Sequence, residues 1–328
     1  MKIVAELSAE REGSQTSAKS LEVATTPYVP LSMLNLVFIR LDSQASELGS
    51  DRHRKLLSPV LDNKERGYQA EIPTSFSSVE EARNALAYIW TAGVRVLQRE
   101  RFPDEPGGPT PTLNFAFKLI QDFSATMLRQ WSQAFDNFFR RNPKQFDSAS
   151  QESIHIVKIH RILTGILFGM EFVATEIDET VWDNYYVEFE TMVSHAAAVA
   201  KGTISPRYKG ILQSAFSLDT GIILPLYFVA TKCRHPTIRR KAIEILQSTS
   251  RQEGVLNSHL TGRVAKRLAD IEEEGLGEIN CAQDIPNWAR LSGVDVRFDP
   301  EGRCAFLKYL RDRWEGSKRN TVQEWVEW

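Results

Sequence analysis

The sequence predicts an all-α fold, a helical bundle or α-solenoid-like body, with a small antiparallel β-meander at its C-terminal end. Apolar residues recur at the spacing of one helix face in segment after segment of the first 290 residues. Near residue 236 a proline divides an apolar stretch into the two arms of a helical hairpin. After residue 291 the pattern changes to the alternation of half-buried strands. We therefore expect three parts: a polar, flexible segment 1–27, a helical domain 28–290, and a β-meander 291–328 packed on the helical body.

Each predicted helix is marked by a stripe of apolar residues. The second helix has a defined start, because Ser78 and Glu81 form a capping box in which the serine oxygen accepts an orphan amide and the glutamate reaches back. A loop rich in proline and glycine is expected at 103–111, and Gly275 is expected to end the last helix in the left-handed conformation. In chain order the stripes are Leu34, Phe38, Leu41, Ala45 and Leu48; Ala82, Leu86, Ile89, Gly93 and Val96; Leu113, Ala116, Ile120, Phe123, Met127, Ala134 and Phe138; Ile156, Ile159, Leu163, Ile166 and Met170; Trp182, Tyr186, Phe189, Val193, Ala196 and Ala200; and Leu260, Val264, Leu268 and Ile271.

The hairpin is predicted from its two prolines. The apolar run Ile222–Ala230 predicts a buried helix from about Pro225, which ends in the basic corner Lys232–His235. Proline is tolerated at the first helical position and blocks continuation of a preceding helix, so Pro236 begins a second, antiparallel helix. On that helix Ile238, Ala242 and Ile245 share the apolar face, and Arg239, Arg240 and Glu244 are expected to face water.

The last forty residues predict strands. Val294–Phe298 alternates between apolar and polar residues, Asp299–Gly302 has the composition of a turn, and Cys304–Tyr309 continues as a second strand. Thr321–Trp328 supplies a third.

Composition excludes several classes of protein. A formal net charge of −2 and an isoelectric point near 6.4 argue against direct nucleic-acid binding, which requires a concentrated basic face. No apolar run reaches the roughly 18 residues of a membrane span, and no signal peptide opens the chain. The three cysteines follow no disulfide pattern and fit a reducing compartment.

Histidines and a glutamate give the nearest approach to a metal motif. Glu152 and His155 have the Glu-x-x-His spacing, but a di-iron bundle needs a second such pair, and the sequence holds none. His160 and His195 are expected at the edge of the core with backbone partners, since neither belongs to a nucleophile pattern. We predict no catalytic, cofactor-binding or metal-binding residue, and no cofactor.

The basic corner of the hairpin leaves two interpretations open. Cys233 lies between two cations that would lower the pKa of its thiol, but its helical phase favours a buried structural thiol. Arg234 and Arg239 have the charge to clamp an anionic ligand. Alternatively, they close the hairpin onto helix-end carbonyls or acidic side chains.

Five stretches of the sequence resemble the C-terminal regulatory domain of fungal zinc-cluster transcription factors. They are Pro-Leu-Tyr-Phe-Val at 225–229, Lys-Cys-Arg-x-Pro-x-x-Arg-Arg-x-Ala-Ile at 232–243, Arg-Gln-Glu-Gly at 251–254, Ile39–Ala45 and Ile72–Arg83. The resemblance covers about residues 30–328. It implies an all-helical regulatory domain and a nuclear location, with the cytoplasm as the alternative. It also implies a structural motif formed by Pro225, Leu226, Tyr227, Lys232, Cys233, Arg234, Pro236, Arg239 and Arg240.

The sequence departs from this family in one respect. A zinc cluster needs six cysteines within about thirty residues, because their thiolates bridge two metal ions. Here the cysteines are Cys233, Cys281 and Cys304, which are spaced too widely. We therefore expect a chain without its own DNA-binding module.

Two functions remain open at this point. The first is a regulatory protein that acts in transcription through protein contacts. Its candidate partners are the transcription machinery, a second copy of the chain and a small-molecule effector. The second is an enzyme or small-molecule-binding protein of a fungal specialised-metabolism pathway that reuses the helical scaffold.

Overall fold

Seven α-helices and two small sheets build the part of the chain that this computed structural model describes, namely residues 72–101, 111–142, 146–169, 178–203, 215–217, 221–254, 256–299, 304–312, 316 and 320–327. A largely helical body followed by a C-terminal antiparallel sheet confirms the predicted fold class. Several expectations lie outside the described residues: the segment 1–27, the helix Leu34–Leu48, the stretch Ile39–Ala45, most of the loop 103–111 and most of the turn Asp299–Gly302.

The first three helices pack around a buried tryptophan. They are α1 (Val79–Arg101), α2 (Pro111–Arg141) and α3 (Ser148–Gly169). Trp131 of α2 is fully buried, and its indole Nε1 donates to the carbonyl of Ala82 in α1 at 2.7 Å. This bond satisfies the one polar group that a buried tryptophan brings with it. The surrounding core consists of Phe76, Ala82, Leu86, Ile89, Ala134, Phe135, Phe138, Val157 and Phe168.

The predicted capping box at the start of α1 is present with a shift of one residue. The amide of Glu81 donates to Ser78 Oγ at 3.1 Å, as expected. The carboxylate of Glu81 reaches past Ser78 and accepts from the amide of Ser77 at 2.7 Å. The two orphan amides are thus satisfied by local side chains, which fixes where α1 begins.

The remaining helices follow a short 3₁₀ helix, and the hairpin is formed by α5 and α6. Their bounds are Glu179–Tyr185 for the 3₁₀ helix, Tyr186–Thr203 for α4, Ile223–Lys232 for α5, Pro236–Ser248 for α6 and Ser258–Glu273 for α7. Helices α5, α6 and α7 pack on one another, and α4 packs on α5 and α6. Pro225 is the third residue of α5, where a helix needs no N–H. Gly275 follows α7 with a φ of 77°, as expected of a left-handed cap.

Among the stripe residues whose side chains the structure describes, two lie on the surface. Phe123 is 56% exposed, because the buried face of α2 runs through Ser124 and Trp131 instead. Tyr186 begins α4 and is also exposed, with its ring against His235 at a centroid distance of 5.0 Å.

A second small sheet lies within the helical body and was not expected. Strand β1 (Ala215–Ser217) pairs in parallel with β2 (Arg251–Glu253), which pairs antiparallel with β3 (Leu256–Asn257). Strands of two or three residues are too short to show alternation, and β2 buries Arg251 and Glu253 rather than apolar residues.

The C-terminal meander has the predicted three strands. They are β4 (Ser292–Asp299), β5 (Cys304–Arg311) and β6 (Asn320–Glu327), paired antiparallel in that order. One face of this sheet packs on α7. The core between them consists of Val264, Leu268, Ile271, Leu291, Val296, Ala305, Leu307 and Tyr309.

Candidate functional site

A cluster of buried charged side chains lies at the corner between α5 and α6. It joins Lys232, Arg234 and Arg239 of the hairpin to Glu179 of the 3₁₀ helix and Glu272 of α7, and we call these five residues the corner cluster. The two arginines and the two glutamates are almost wholly buried. Because a buried ion needs opposite charge and hydrogen bonds to offset its lost hydration, the partners of each group decide what the cluster does.

Arg234 connects four parts of the chain through one guanidinium. Its Nε and Nη2 donate to the carboxylate of Glu272 at 3.2 and 2.7 Å, and Nη2 also donates to Glu179 at 3.0 Å. Nη1 donates to the carbonyl of Lys232 at 3.0 Å, and Nη2 lies 3.4 Å from the carbonyl of Leu291. Burial opposes the charge, but Glu272 and Glu179 outweigh it and raise the pKa of Arg234 above its ordinary value.

The expectation that Arg239 faces water is wrong. Arg240 and Glu244 are exposed, whereas Arg239 is buried and donates from Nε to the carbonyl of Ala230 at 3.0 Å and from Nη2 to Glu272. The reason is that α6 is covered by α4, α5 and α7, so that more than one stripe is buried. The second buried stripe of α6 consists of Arg239, Ile243 and Leu246.

The buried carboxylate of Glu272 accepts hydrogen bonds at both of its oxygens. Its Oε1 accepts from Arg234 and from the amide of Leu291 at 2.7 Å, and its Oε2 accepts from Arg234 and Arg239. Burial raises the pKa of this carboxyl, but Arg239 and Arg234 outweigh burial and bring it to about 2. Glu272 is therefore ionised at any physiological pH.

Glu179 holds the other side of the corner. The ammonium of Lys232 donates to both of its carboxylate oxygens at 2.9 Å and lies 5.1 Å from the centre of the Trp182 ring. Burial lowers the pKa of Lys232, against the opposing effect of Glu179. The backbone amide of Glu179 donates to Asn287 Oδ1 at 3.1 Å. This bond holds the backbone of Glu179 in place and so helps to position its carboxylate.

The partners of the corner cluster come mostly from within it. Glu272, Glu179 and the carbonyl of Lys232 accept from Arg234, and the carbonyl of Ala230 accepts from Arg239. Nη1 of Arg239 makes no hydrogen bond to the described residues and lies 3.6 Å from the carboxylate of Glu273. An anionic ligand would have to displace one of these carboxylates. The geometry therefore favours closing of the hairpin over the anion clamp that the sequence left open.

A further buried arginine ties the segment before β4 to the same corner. Arg290 donates from Nη1 and Nη2 to the two oxygens of Asp183 at 2.8 Å and from Nη1 to the carbonyl of Glu179 at 3.0 Å. It also donates to the carbonyls of Ala282 and Ile285 at 2.9 and 2.8 Å. Sequence reasoning missed Arg290, because nothing in its neighbourhood marks it as buried.

A third buried carboxylate caps the start of α5. Glu253 of β2 accepts from the amides of Gly221, Ile222 and Ile223 at 2.9, 2.9 and 3.0 Å. A Cβ atom at position 221 would overlap this carboxylate, so the close approach requires glycine there. Glu253 belongs to the stretch Arg-Gln-Glu-Gly at 251–254. Nothing in the sequence of that stretch indicates that its glutamate caps α5.

The other residues of the proposed hairpin motif have ordinary positions. Pro225 and Leu226 are buried in α5, Pro236 is the first residue of α6, and Arg240 pairs with Glu273 at 3.3 Å on the surface. Tyr227 packs against the core beneath the C-terminal sheet. Cys233 is buried, and burial raises the pKa of its thiol to about 11, which leaves it protonated at neutral pH.

The histidines of α3 and α4 form a pair that the sequence did not suggest. The Nδ1 atoms of His155 and His195 lie 2.9 Å apart, so one imidazole donates to the other. Burial lowers the pKa of both rings, and for His195 burial together with His155 and Lys158 brings it to about 4. The expected backbone partner is found for His160, whose Nε2 bonds to the carbonyl of Gly221 at 2.8 Å, and not for His195.

The carboxylate of Glu152 forms an ion pair with an arginine, so it is not available as a metal ligand beside His155. Its partner is Arg251, at 3.2 Å. Among the described residues, no group of three or more His, Cys, Asp or Glu side chains is arranged to hold a metal ion.

Across the same part of the chain, none of the helices has the length and apolar character that crossing a membrane requires.

One surface groove of about 770 Å³ borders the hairpin. It lies between the first turns of α6 and the segment 277–280 that follows α7, and its lining is mostly polar.

Comparison with known proteins finds a relative among fungal transcription regulators. The aspercryptin biosynthesis cluster-specific transcription regulator atnN of Emericella nidulans is 24% identical over an alignment that covers 88% of this chain. The chain spans 58% of the length of that protein. No protein-family model matches the chain. No solved structure matches it either.

Replacing Arg234 by alanine should lower the free energy of unfolding by about 3–5 kcal/mol, because Glu272 and Glu179 would remain buried with fewer partners. Urea unfolding followed by circular dichroism measures the loss. Arg240→Ala, at an exposed position on the same hairpin, is the matched control and should stay within about 0.5 kcal/mol of the wild type. Equal stability of the Arg234 and Arg240 variants would show that the corner cluster does not support the fold.

The histidine pair should make the fold sensitive to mild acid. The folded-state pKa of His195 lies below the unfolded value of 6.5, so the unfolded chain binds more protons. The stabilising contribution is complete above pH 6.5 and is lost as the pH falls toward about 4. We expect the stability difference between wild type and His195→Gln to shrink by roughly 1 kcal/mol between pH 7.5 and pH 4.5, a modest value because both rings are partly exposed. His259→Gln, at an exposed histidine, is the control, and a difference that stays constant with pH would contradict the account.

Proposed function

We propose that this chain is a regulatory domain that acts in fungal transcription through contacts with other proteins. The observation that carries the proposal is the match over 88% of the chain to a protein named as a cluster-specific transcription regulator. The hairpin stretches that resemble the zinc-cluster regulatory domain support the same function. Because the chain spans 58% of that relative, the activity of the whole relative is carried over only as part of this proposal.

The chemistry of the corner cluster supports a regulatory function over an enzymatic one. Catalytic groups need a free acceptor or donor that points at a substrate. In the corner cluster Glu272 accepts four hydrogen bonds from its neighbours, and Arg234 donates to carboxylates and carbonyls of the same chain. The largest concentration of buried charge in the described residues therefore serves the fold.

In this proposal the chain contributes no DNA-binding module of its own. Its three cysteines are spaced too widely for a zinc cluster, and its net charge of −2 gives no general attraction to DNA. We extend the proposal to a nuclear location and to a biosynthetic gene cluster as the target, and the name of the relative, a biosynthesis cluster-specific transcription regulator, supports both.

A tethering assay tests the proposal. The chain is fused to a heterologous DNA-binding domain that has no regulatory activity, and transcription from a matching reporter is measured in a fungal host. We expect a several-fold change in reporter transcription relative to the DNA-binding domain alone. Arg240→Ala should preserve this change and Arg234→Ala should reduce it, since the second substitution destabilises the fold. An unchanged reporter, with the fusion expressed and bound at its promoter, would refute the regulatory function.

A further inference from the structure

The C-terminal sheet has one face against α7 and one face on which no described element packs. A row of three side chains crosses this outer face, because Arg297, Phe306 and Trp325 are paired in register across β4, β5 and β6. The rings of Phe306 and Trp325 have centroids 5.2 Å apart, and the guanidinium of Arg297 lies 5.9 Å from the Phe306 ring. Trp325 is 60% exposed. An exposed tryptophan beside a second aromatic ring is typical of the centre of a protein interface.

The next row of the outer face is acidic. Asp299, Cys304 and Glu327 are paired in register, so two carboxylates flank the Cys304 thiol. The pKa of Cys304 is raised, by burial first and then by Asp299 and Glu327, which places negative potential at this row. On β4 and β6 the carboxylates of Asp299 and Glu327 thus lie two residues along the strand from the aromatic row, on the same face of the sheet.

The strand β6 also offers an open edge. Within the described residues it pairs with β5 on one side only. With eight residues, β6 is longer than the mean strand of about five to six residues. An unpaired strand of this length presents a row of backbone N–H and C=O groups to a further strand.

We propose that the outer face and the free edge of β6 bind an extended segment of a partner protein that carries arginine or lysine. The segment adds to the sheet along β6, and its alternate side chains lie on the outer face. A cation there contacts the face of Trp325 and the carboxylate of Glu327, two contacts that favour the same charge. This surface rests on the proposed function, since it supplies the protein contact through which a regulatory domain acts.

Charge distinguishes this occupant from a second copy of the chain. The described residues of β6 include Glu324 and Glu327 and no lysine or arginine. Glu324 already forms an ion pair with Arg267 at 2.8 Å. Glu327 lies at the end of β6, and β6 itself has no lysine or arginine to pair with it. Two copies of β6 side by side would bring acidic strands together, which costs stability rather than adding it.

Synthetic peptides test the surface. The probe is a fluorescent peptide of sequence Thr-Val-Arg-Val-Arg-Val-Thr, which alternates arginine with strand-forming residues. Its controls replace arginine by glutamate or valine by proline, which reverse the charge or prevent strand pairing. Fluorescence anisotropy with the full chain should show saturable binding of the arginine peptide, weaker in high salt, and no binding of either control. Absence of binding by the arginine peptide, or equal binding of the glutamate peptide, would overturn the proposal.

Variants of the chain locate the binding. Trp325→Thr keeps a strand-forming residue and should weaken the arginine peptide at least about tenfold, and Glu327→Lys should do the same without touching the aromatic row. Phe123→Ala removes an exposed aromatic residue from α2 and should leave binding unchanged. Equal affinity of all three variants would overturn the proposal. A concentration-dependent dimer that Trp325→Thr dissociates would also overturn it, because a second copy of the chain would then occupy the surface.

The tethering assay separates this surface from the proposed function. If Trp325→Thr and Glu327→Lys regulate the reporter as the wild type does, the surface is wrong and the regulatory function stands. If the wild type itself leaves the reporter unchanged while it binds the arginine peptide, the regulatory function is wrong and the surface stands.

Discussion

The contact between Arg234 and Glu272 is the constraint on which the middle and the end of the described structure depend. It joins the end of α5 to the last turn of α7, and the same carboxylate holds Arg239 of α6 and the amide of Leu291. Leu291 directly precedes β4. One buried carboxylate therefore sets both the position of the hairpin and the point at which the chain leaves the helical body for the C-terminal sheet.

The second constraint acts on the other end of α5. This helix is apolar on most of its surface and has no capping side chain of its own. Glu253 binds the amides at its N-terminus, and the guanidinium of Arg239 binds the carbonyl of Ala230 near its C-terminus. A carboxylate at the N-terminus and a cation at the C-terminus have the signs that the helix dipole favours. Buried ions are costly, and partners placed this closely restrict the helix to a single position.

Sequence reasoning predicted what is local and missed what is distant along the chain. The prolines of the hairpin, the Ser78 capping box and the strands of the meander are encoded within a few neighbouring residues, and all were predicted. The same reasoning placed Arg239 in water, because the carboxylate that draws it inside lies 33 residues further along the chain. Glu253 was missed for an equivalent reason, since its amide partners lie 30 to 32 residues earlier.

Hydrogen exchange of the Glu272→Gln variant, followed by mass spectrometry, tests the central claim most directly. Glutamine keeps the shape of the side chain but removes the charge that Arg234 and Arg239 share. If the account is right, protection falls together in the hairpin corner, in the 3₁₀ helix Glu179–Tyr185 and at the start of β4, while Glu244→Gln on the exposed face of α6 changes none of them. Faster exchange confined to α7, or no change at all, would contradict the claim that this one carboxylate holds these elements together.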